Sequence, residues 1–426
     1  MMYRMDESDH RIPLDACSDK VKESFVICDE YGLNKVQGLE LKGTGGSALV
    51  YLGTLNGIRG CVVKEFYPYE EQWGAKFDYI RDKATGEIIL CPRSKNVEEK
   101  KRQLLEEELA KQRSEIEAEI QMMDRVFCAD GYHNSNHVLP QLYLTQKGDT
   151  HYVVLDTREG KTLYDKVKDA QDGHMGIQAA MEDALALFEM VRTMFDGKYC
   201  HGDIKPENIW CGNSEGADER IENKYFLDFG SVFSLEEYQN ADYEELEKEE
   251  LLKLAGKISA NAGIACSSEN YRSIEMQELR AAKNSFLDDP FSVKRAVRLV
   301  KKINQIDVST DVYAVVKVFY FMLLGEDYRS MDAPSTEELA ERLGVEQDIA
   351  ELILEMMKKN GNGKYRTIDQ AVEDLKIIQA MLEKEAVPQV LISGIKKDVE
   401  RMKESFDYRE VDEGLFCEVK RENMSM

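Results

Sequence analysis

The sequence is poor in the residues that characterise fibrous, secreted and disordered proteins. Its 426 residues include only 8 prolines and 28 glycines, and 43% are hydrophobic, which excludes collagen-like, mucin-like and wholly disordered chains. The 9 cysteines are scattered, include no Cys-x-x-Cys pair and accompany no histidine cluster at metal-ligand spacing. We therefore expect reduced thiols and a cytoplasmic location.

Long hydrophobic runs are also missing. The longest apolar stretch, residues 312–324, is interrupted by Lys317 and is shorter than the roughly 20 residues that a helix needs to cross a bilayer. The first residues contain no apolar core of the kind found in signal peptides. The sequence therefore predicts no membrane anchor.

Negative charge exceeds positive charge. Lysine and arginine total 56 against 81 aspartates and glutamates, which gives a net charge of −25. Proteins that bind nucleic acids or anionic membranes by neutralising phosphates carry the opposite balance. We expect neither as a partner, and no feature of the sequence indicates an oligomeric state.

The hydrophobic pattern changes from β-like to α-like along the chain, whose length allows roughly two to four units of about 100 to 200 residues. Strands are predicted between residues 33 and 66, with a tight hairpin at Asn56-Gly57. Further predicted elements are a hairpin at 79–92, a long and broken helix at 97–126, strands at 138–144 and 151–155, and apolar helices at 176–195 and 312–324. This order predicts an α+β protein whose mainly β lobe precedes a mainly α lobe, with the boundary near residues 156–160.

A glycine-rich turn and a lysine lie on neighbouring predicted strands. Gly43, Gly45 and Gly46 let the backbone approach a polyphosphate and point N–H groups at it, although such a cluster is more often simply a turn. The return strand of the hairpin places Lys64 among apolar residues, where an ammonium is costly unless it meets anions. Lys64 is a candidate phosphate ligand, and the alternative is a lysine at a strand edge.

A buried ammonium also needs a carboxylate partner, which the predicted helix at 97–126 can supply. Ile120, Met123 and Val126 share a helix face close to Glu119, and this favours Glu119 as the partner. Glu115 is the second candidate.

The most specific segments are His201-Gly202-Asp203-Ile204-Lys205-Pro206-Glu207-Asn208 and, further on, Asp228-Phe229-Gly230. They resemble the HRDLKPEN loop and the DFG triplet of the protein kinase family, which they match except at Gly202 and Ile204. The resemblance extends from about residue 33 to about residue 382. It implies a bilobal protein-kinase-like fold, with an N-lobe of antiparallel β-sheet plus a helix of the αC type and a mainly helical C-lobe.

The resemblance implies a Ser/Thr protein kinase that uses ATP and Mg²⁺. Catalysis of phosphoryl transfer consists largely of positioning and of neutralising phosphate charge. The resemblance implies that Asp203 orients the substrate hydroxyl, that Lys205 contacts the γ-phosphate and that Lys64 pairs with Glu119. It also makes Asn208 and Asp228 the Mg²⁺ ligands. The other implied nucleotide-binding positions are Gly43, Gly45, Gly46, Val50, the gatekeeper position Leu155, and Asp156 and Arg158 in the linker between the lobes.

Three residues of the helical part also match the family. Glu275 stands for the glutamate of the APE triplet, and Arg366 matches the arginine that usually pairs with it. Asp311 opens the apolar helix and matches the aspartate that braces the catalytic loop. Because these elements build the peptide-docking side of protein kinases, they favour a protein substrate.

Two positions depart from the family pattern and leave alternatives open. Gly202 replaces the arginine that binds a phosphorylated activation loop, so we expect activity to be independent of such phosphorylation. The same His-Gly-Asp sequence occurs in small-molecule kinases resembling aminoglycoside and choline phosphotransferases, which are the alternative enzyme class. Ala48 replaces the third glycine of the phosphate-binding loop, and with Gly202 it motivates a third hypothesis, a catalytically inactive kinase-fold scaffold.

The expected domains are an N-terminal extension at 1–32, an N-lobe at 33–158 with an insert at about 70–97, a C-lobe at 159–385 with inserts at about 234–262 and 277–305, and a C-terminal tail at 386–426. The insert at 234–262 is strongly acidic. Its simplest interpretation is a solvated helical insert, and a second hypothesis is that it attracts basic protein substrates.

The insert at 277–305 contains a basic helix, which we expect to dock against the acidic insert; the alternative is a site for a partner. Its predicted cationic side consists of Lys294, Arg295, Arg298, Lys301 and Lys302, and its predicted apolar side consists of Val293, Val297, Val300 and Ile303.

Overall fold

The computed structural model describes residues 2–3, 24–29, 32–44, 48–66, 77–81, 88–92, 141–147, 150–156, 160–213, 222–240, 242–261, 263–264, 267–327, 334–363 and 365–383, together with individual helical residues between 103 and 126. The tail predicted at 386–426 and most of the extension predicted at 1–32 lie outside the described residues.

The chain divides into two compact units. The first comprises Met1–Leu163 and Glu207–Gly230, and the second comprises Tyr164–Pro206 and Ser231–Met426. Antiparallel sheets dominate the described part of the first unit, whereas the second is mainly helical. The predicted α+β class is therefore confirmed. Glu207–Gly230 belongs to the first unit because a strand within it pairs with residues 160–162.

Antiparallel pairing holds the first unit together. Its described strands are β1 (Met2–Tyr3), β2 (Ser24–Asp29), β3 (Gly32–Thr44), β4 (Ala48–Leu55), β5 (Arg59–Phe66), β6 (Phe77–Arg81), β7 (Ile88–Pro92), β8 (Gln141–Lys147), β9 (Thr150–Asp156), β10 (Gly160–Thr162), β12 (Ile209–Asn213) and β13 (Glu222–Phe226). The second unit contains two short strands, β11 (Tyr199–Cys200) and β14 (Phe233–Ser234). The largest sheet has the strand order β2-β3-β4-β5-β9-β8, and smaller sheets have the orders β1-β6-β7, β10-β12-β13 and β11-β14.

The predicted hairpin at Asn56-Gly57 is confirmed. Asn56 has φ 55° and Gly57 has φ 71°, left-handed conformations that a tight turn requires and that these two residue types tolerate. The Asn56 side chain also accepts a 2.7 Å hydrogen bond from the Lys35 N–H, which ties the turn to β3. The second predicted hairpin, at 79–92, is confirmed as the pair β6 and β7.

One face of the large sheet carries an apolar cluster. Successive side chains of a strand point to opposite faces, so Val62, Lys64 and Phe66 of β5 share one face. The cluster on that face consists of Ala48, Val62, Phe66, Ile116, Val153, Leu155, Trp210 and Tyr225, with Val50, Leu52, Leu144 and Leu227 packed against it. Lys64 is therefore set among apolar side chains, as the sequence predicts.

The reverse face of the same sheet buries a carboxylate. Glu65 is 1% exposed and accepts hydrogen bonds from the hydroxyl groups of Tyr51, at 2.6 Å, and Tyr152, at 2.5 Å. A buried carboxylate is tolerated only when its oxygens are hydrogen-bonded. The two tyrosines thus stabilise Glu65 on the face opposite Lys64.

Helices dominate the second unit. They are α1 (Leu163–Lys168, which begins at the last residue of the first unit), α2 (Ile177–Asp196), α3 (Leu235–Tyr238), α4 (Lys248–Ala260), α5 (Ile274–Asp288), α6 (Val293–Ile303), α7 (Ser309–Leu324), α8 (Thr336–Leu343), α9 (Gln347–Gly361) and α10 (Ile368–Leu382). The apolar helices predicted at 176–195 and 312–324 are confirmed as α2 and α7. Every residue of α7 except Tyr313 is buried, as expected of a helix that is apolar on all sides.

The basic and acidic inserts pack together, as predicted, but they do so through apolar side chains. The shared cluster contains Leu251, Ala255 and Ile258 of α4, Leu279, Ala282 and Phe286 of α5, and Ala296, Leu299, Val300 and Ile303 of α6. The predicted apolar face of α6 was wrong at Val297, which is 38% exposed. The buried stripe follows the spacing 296, 299, 300 and 303, which is one face of a 3.6-residue helix.

Cys61, Cys200 and Cys211 are buried cysteines outside any disulfide. None of the helices in the described part of the chain combines the length and the apolarity needed to span a bilayer.

A buried ion pair joins α9 to α10. Lys359 Nζ lies 3.0 Å from Asp374 Oδ2, and both side chains are less than 10% exposed. The same carboxylate oxygen accepts a 2.6 Å hydrogen bond from the Tyr365 hydroxyl. Burial and the neighbouring carboxylate raise the pKa of Tyr365 well above its ordinary value, so the hydroxyl stays a donor at neutral pH. The pair is fully desolvated, and its loss should be costly.

We predict that Lys359→Met destabilises the protein by about 3 kcal/mol, because it leaves the Asp374 carboxylate buried without its cation. Urea denaturation followed by circular dichroism measures this change. Lys376→Met on the exposed side of α10 is the matched control and should have little effect. A change below about 1 kcal/mol for Lys359→Met would show that the pair is not structurally important.

Candidate active-site residues

Lys64 lies in the middle of β5, opposite Val50 of β4 and Val153 of β9. Its side chain is 20% exposed and projects from the face that carries the apolar cluster. The strand pairing on both sides leaves its backbone little freedom. The ammonium is therefore held at a defined place on the sheet.

Glu119 brings a carboxylate to this ammonium. Residues 116–119 are helical, and Glu119 Oε1 lies 3.9 Å from Lys64 Nζ. The same oxygen accepts a 3.1 Å hydrogen bond from the Phe229 N–H. Glu119 thus connects the helix to β5 and to the turn after β13. Glu115, the second candidate, lies outside the described residues.

The pKa values of this pair reflect burial and a third charge. Burial by itself lowers the pKa of Lys64, but the Glu119 and Asp228 carboxylates outweigh it and raise the pKa above its usual range. The pKa of Glu119 is raised above its ordinary value. Burial is the main cause and the negative charge of Asp228 adds to it, whereas Lys64 and the Phe229 N–H lower the pKa by less. Lys64 therefore remains a cation, stabilised by the charges of the Glu119 and Asp228 carboxylates.

Asp228 follows β13 in an unusual conformation. Its φ is 60°, the left-handed region in which a non-glycine residue costs roughly 1 kcal/mol and which occurs preferentially at functional sites. The next residue, Phe229, is 2% exposed, so its buried ring anchors the turn. This geometry places the Asp228 carboxylate close enough to Lys64 and Glu119 for their charges to interact.

Asn208 lies beside the strand that leads to Asp228. Its carbonyl oxygen accepts a 2.8 Å hydrogen bond from the Leu227 N–H, and its side chain is buried. Asn208 and Asp228 offer an amide oxygen and carboxylate oxygens, the hard donors that Mg²⁺ prefers. Mg²⁺ commonly takes one or two protein ligands together with phosphate and water oxygens, so this pair fits the ion that the sequence implies.

The other predicted nucleotide-binding residues are partly described. Val50 and Leu155 belong to the apolar cluster around Lys64, and Gly43 pairs with Val50 across the hairpin. Asp156 pairs through its backbone with Cys61 at the end of β9. Gly45, Gly46 and Arg158 lie outside the described residues.

Asp203 and Lys205 form a second group of polar side chains, in the second unit. Lys205 Nζ lies 2.9 Å from Asp203 Oδ2, and Asp203 is 7% exposed. Burial tends to raise the pKa of Asp203, but Lys205 and the hydrogen bonds from Ser268 lower it below its ordinary value. The Asp203 carboxyl is therefore ionised at neutral pH.

Ser268 completes this group and is a residue that sequence reasoning missed. Its N–H donates to Asp203 Oδ1 at 2.6 Å, and its Oγ accepts from Lys205 Nζ at 2.8 Å. It lies more than 60 residues further along the chain than Asp203. The only sequence signal is a Ser-Ser pair shortly before the Tyr-Arg-Ser-Ile-Glu segment.

Asp311 braces the loop, as expected from its position in the sequence. Its carboxylate accepts hydrogen bonds from the backbone N–H groups of His201, at 2.8 Å, and Gly202, at 3.0 Å. Asp311 is 2% exposed and belongs to the first turn of α7. The expected ion pair between Arg366 and Glu275 is also present, at 3.1 Å. Two predicted contacts within the second unit are thus confirmed.

Gly202 adopts a backbone conformation that favours glycine. Its φ is 76°, and a Cβ at this position would lie 3.0 Å from the Ser231 carbonyl oxygen. A side chain of any size therefore meets both backbone strain and crowding. Glycine in the His-Gly-Asp sequence therefore suits this loop geometry, and an arginine here would be strained.

Comparisons with known proteins give matches among solved structures. No protein-family model and no curated protein matches the chain. The apo form of PpkA-294 is similar at 15% sequence identity and a TM-score of 0.45, over 83% of this chain and 100% of that one. A mutant form of the Mycobacterium tuberculosis PknI kinase domain is similar at 10% identity and a TM-score of 0.42, over 84% of this chain and 98% of that one. A second mutant form of the same domain gives 10% and 0.41, over 81% and 97%.

We predict that Gly202→Ala destabilises the protein by about 1 to 2 kcal/mol, because an alanine at this positive φ is strained. Gly256→Ala is the matched control. Gly256 lies inside α4 with open space around it, and alanine there should stabilise by about 0.5 to 1 kcal/mol. Thermal unfolding of the two variants should shift the melting temperature in opposite directions. Equal shifts would contradict the backbone geometry at Gly202.

Proposed function

We propose that this protein is an ATP-dependent kinase that transfers the γ-phosphoryl group of MgATP to Ser or Thr hydroxyls of protein substrates. The observation that carries the proposal is the Lys64 ammonium, which lies 3.9 Å from Glu119 Oε1 and close enough to Asp228 for their charges to interact. A half-buried cation fixed in this way is suited to bind phosphate oxygens. The second carboxylate leaves the group with an excess negative charge, which favours a divalent cation.

The residues of the first unit would bind the nucleotide. The apolar side chains of Val50, Val62 and Leu155 offer a surface for the adenine ring, and Lys64 offers a charge for the phosphates. Asn208 and Asp228 would hold Mg²⁺. Bound MgATP supplies the transferable phosphoryl group and the metal charge that offsets the phosphate oxygens. Gly43, Gly45, Gly46, Asp156 and Arg158 remain proposed ligands of the nucleotide.

The residues of the second unit would prepare the acceptor. We propose that ionised Asp203 accepts a hydrogen bond from the substrate hydroxyl and takes its proton as the new O–P bond forms, while the bond from the γ-phosphorus to the bridging oxygen breaks and ADP leaves. Lys205 would neutralise charge on the transferred group. Lys205 is typical of Ser/Thr rather than Tyr specificity in the family that the sequence resembles. The Glu275–Arg366 pair and the Asp311 brace support a protein substrate rather than a small molecule.

The buried thiols of Cys61, Cys200 and Cys211 support the proposal of a reducing compartment such as the cytoplasm.

We predict that Lys64→Met and Asp228→Asn each reduce phosphoryl transfer at least about a hundredfold while the protein stays folded, because each removes a charge needed at the triphosphate. The measurement is transfer of label from γ-labelled MgATP to a degenerate Ser/Thr peptide library. Lys42→Met, which removes an exposed lysine of β3, is the matched control and should retain full transfer.

Two parallel reactions separate the alternatives. An amino-alcohol panel that takes up label while peptides do not would identify a small-molecule kinase. Nucleotide binding without any transfer would identify an inactive scaffold. Full transfer by both Lys64→Met and Asp228→Asn would refute the roles assigned to these residues.

The acidic insert supports a preference for basic substrates. Asp242, Glu244, Glu245 and Glu249 are exposed around the start of α4, and Glu236 is exposed in α3. Lys257 pairs with Glu237 at 3.1 Å, so this side of the insert contains one neutralised acid beside the exposed ones. A cluster of exposed carboxylates attracts cations over a distance of about the Debye length, roughly 8 Å at physiological salt.

We predict that raising the salt concentration lowers kcat/KM for a basic peptide more than for a neutral one, because screening weakens the attraction. The triple variant Asp242→Asn, Glu245→Gln, Glu249→Gln should remove most of this difference. Glu373→Gln, an exposed acid on α10, is the control. An equal salt effect on both peptides would show that the acidic insert is only a solvated surface.

A further inference from the structure

A buried arginine lies just before α5 and binds a serine of its own segment. Arg272 is 8% exposed, and its Nε donates a 2.8 Å hydrogen bond to Ser267 Oγ. A second nitrogen of the same guanidinium donates to the Ser267 carbonyl oxygen. A buried guanidinium is tolerated only where its N–H groups are hydrogen-bonded. The planar fork of Arg272 thus fixes both the side chain and the backbone of Ser267.

The Ser267 carbonyl belongs to the same peptide unit as the Ser268 N–H. Because the peptide bond is planar, holding the carbonyl oxygen in place also sets the direction of this N–H. The Ser268 N–H is the group that donates to Asp203 Oδ1 at 2.6 Å. Arg272 therefore lies one rigid peptide plane from the hydrogen bond that orients the Asp203 carboxylate.

The chain after Ser268 is held by further side-chain hydrogen bonds. Residues Glu269–Tyr271 form a 3-10 turn in which the Ser268 side chain makes no capping hydrogen bond, so its Oγ is available to Lys205. Asn270 Nδ2 and the Tyr271 hydroxyl donate to the two oxygens of Asp327, at 2.6 and 2.5 Å. The turn that presents Ser268 is thereby anchored on its far side.

The chain before Ser267 is held by a lysine of α5. Lys283 Nζ donates to the carbonyl oxygens of Asn261, at 2.6 Å, and Ile264, at 2.9 Å. These carbonyls follow the end of α4, which packs on α5 and α6. Cations that bind backbone carbonyls can fix a segment without any phosphate group.

We propose that Arg272 is a positioning residue for the reaction, which acts on Asp203 through the peptide plane between Ser267 and Ser268. The inference rests on the proposed kinase function and names a residue which that function does not otherwise require. It also gives a physical reason why the loop can contain Gly202. The segment is fixed from within by Arg272, so an arginine at position 202 and a phosphorylated residue are not needed to hold it.

The test uses the full-length protein after phosphatase treatment, as the wild type and as Arg272→Met, Arg272→Lys and Ser267→Ala. Steady-state kinetics give kcat and KM, and hydrogen–deuterium exchange reports on the Ser268 amide. Arg272→Met should lower kcat about 10- to 100-fold and leave the KM for MgATP unchanged, because misplacing Asp203 affects the reacting hydroxyl. The Ser268 amide should exchange faster in this variant.

Two conservative variants distinguish positioning from general stability. Arg272→Lys should recover only part of kcat, because an ammonium keeps the charge and can donate to the Ser267 oxygens but lacks the rigid planar fork that sets the direction of both hydrogen bonds. Ser267→Ala should cost less than Arg272→Met, because the carbonyl acceptor remains. Arg280→Met, an exposed arginine on α5, is the matched control and should match the wild type. If Arg272→Met does not fold, the Arg272→Lys and Ser267→Ala variants carry the test.

Three results would each contradict a different part of the proposal. A folded Arg272→Met protein with wild-type kcat, or with unchanged exchange at Ser268, would overturn the positioning role. Loss of wild-type activity on phosphatase treatment would overturn the claim that the segment is held without phosphate. If untreated wild-type protein transfers no phosphate at all, the proposed kinase function fails. The exchange rate at Ser268 in Arg272→Met then decides the positioning role alone, unchanged exchange opposing it and faster exchange supporting it.

Discussion

The Lys64 ammonium sits within reach of two carboxylates, and the first unit is organised around this interaction. Lys64 comes from a central strand, Glu119 from a helix and Asp228 from a turn, so three separate parts of the chain must be in place for the charges to meet. Glu119 has a double role because the oxygen nearest Lys64 also accepts the Phe229 N–H. One cation facing two acids leaves a net negative charge, and the side-chain amide of Asn208 contains a neutral oxygen of the kind that Mg²⁺ prefers. Such a set is suited to bind a metal together with phosphates.

The second unit holds one ionised carboxylate, that of Asp203, in a defined orientation. Lys205 and Ser268 bind the two oxygens of Asp203, and Asp311 fixes the backbone of the same loop through His201 and Gly202. The described part of the acidic insert at 234–262 is packed into the second unit, because its helix α4 belongs to an apolar cluster with α5 and α6.

Local features were predicted from the sequence because they depend on neighbours in the chain. The Asn56-Gly57 turn, the helices α2 and α7 and the choice of Glu119 all follow from periodicity or from turn chemistry. The prediction of the apolar face of α6 was wrong at Val297. The hydrophobic residues of this helix are compatible with two slightly rotated buried faces, and packing on α4 and α5 selects one of them. Ser268 and Arg272 could not be predicted. Their hydrogen-bond partners depend on the tertiary fold of the segment before α5, and no sequence pattern of serine and arginine predicts such contacts.

The alternation of Lys64 and Glu65 has a consequence for how the large sheet assembles. These adjacent residues carry opposite charges to opposite faces, the first toward Glu119 and Asp228 and the second toward Tyr51 and Tyr152. A slip of β5 by one position would exchange them. Three carboxylates would then crowd together, and an ammonium would be buried beside phenols that no longer have a carboxylate to bind. The charge order of these two residues therefore disfavours mispaired sheets during folding, independently of any part that either residue plays in catalysis.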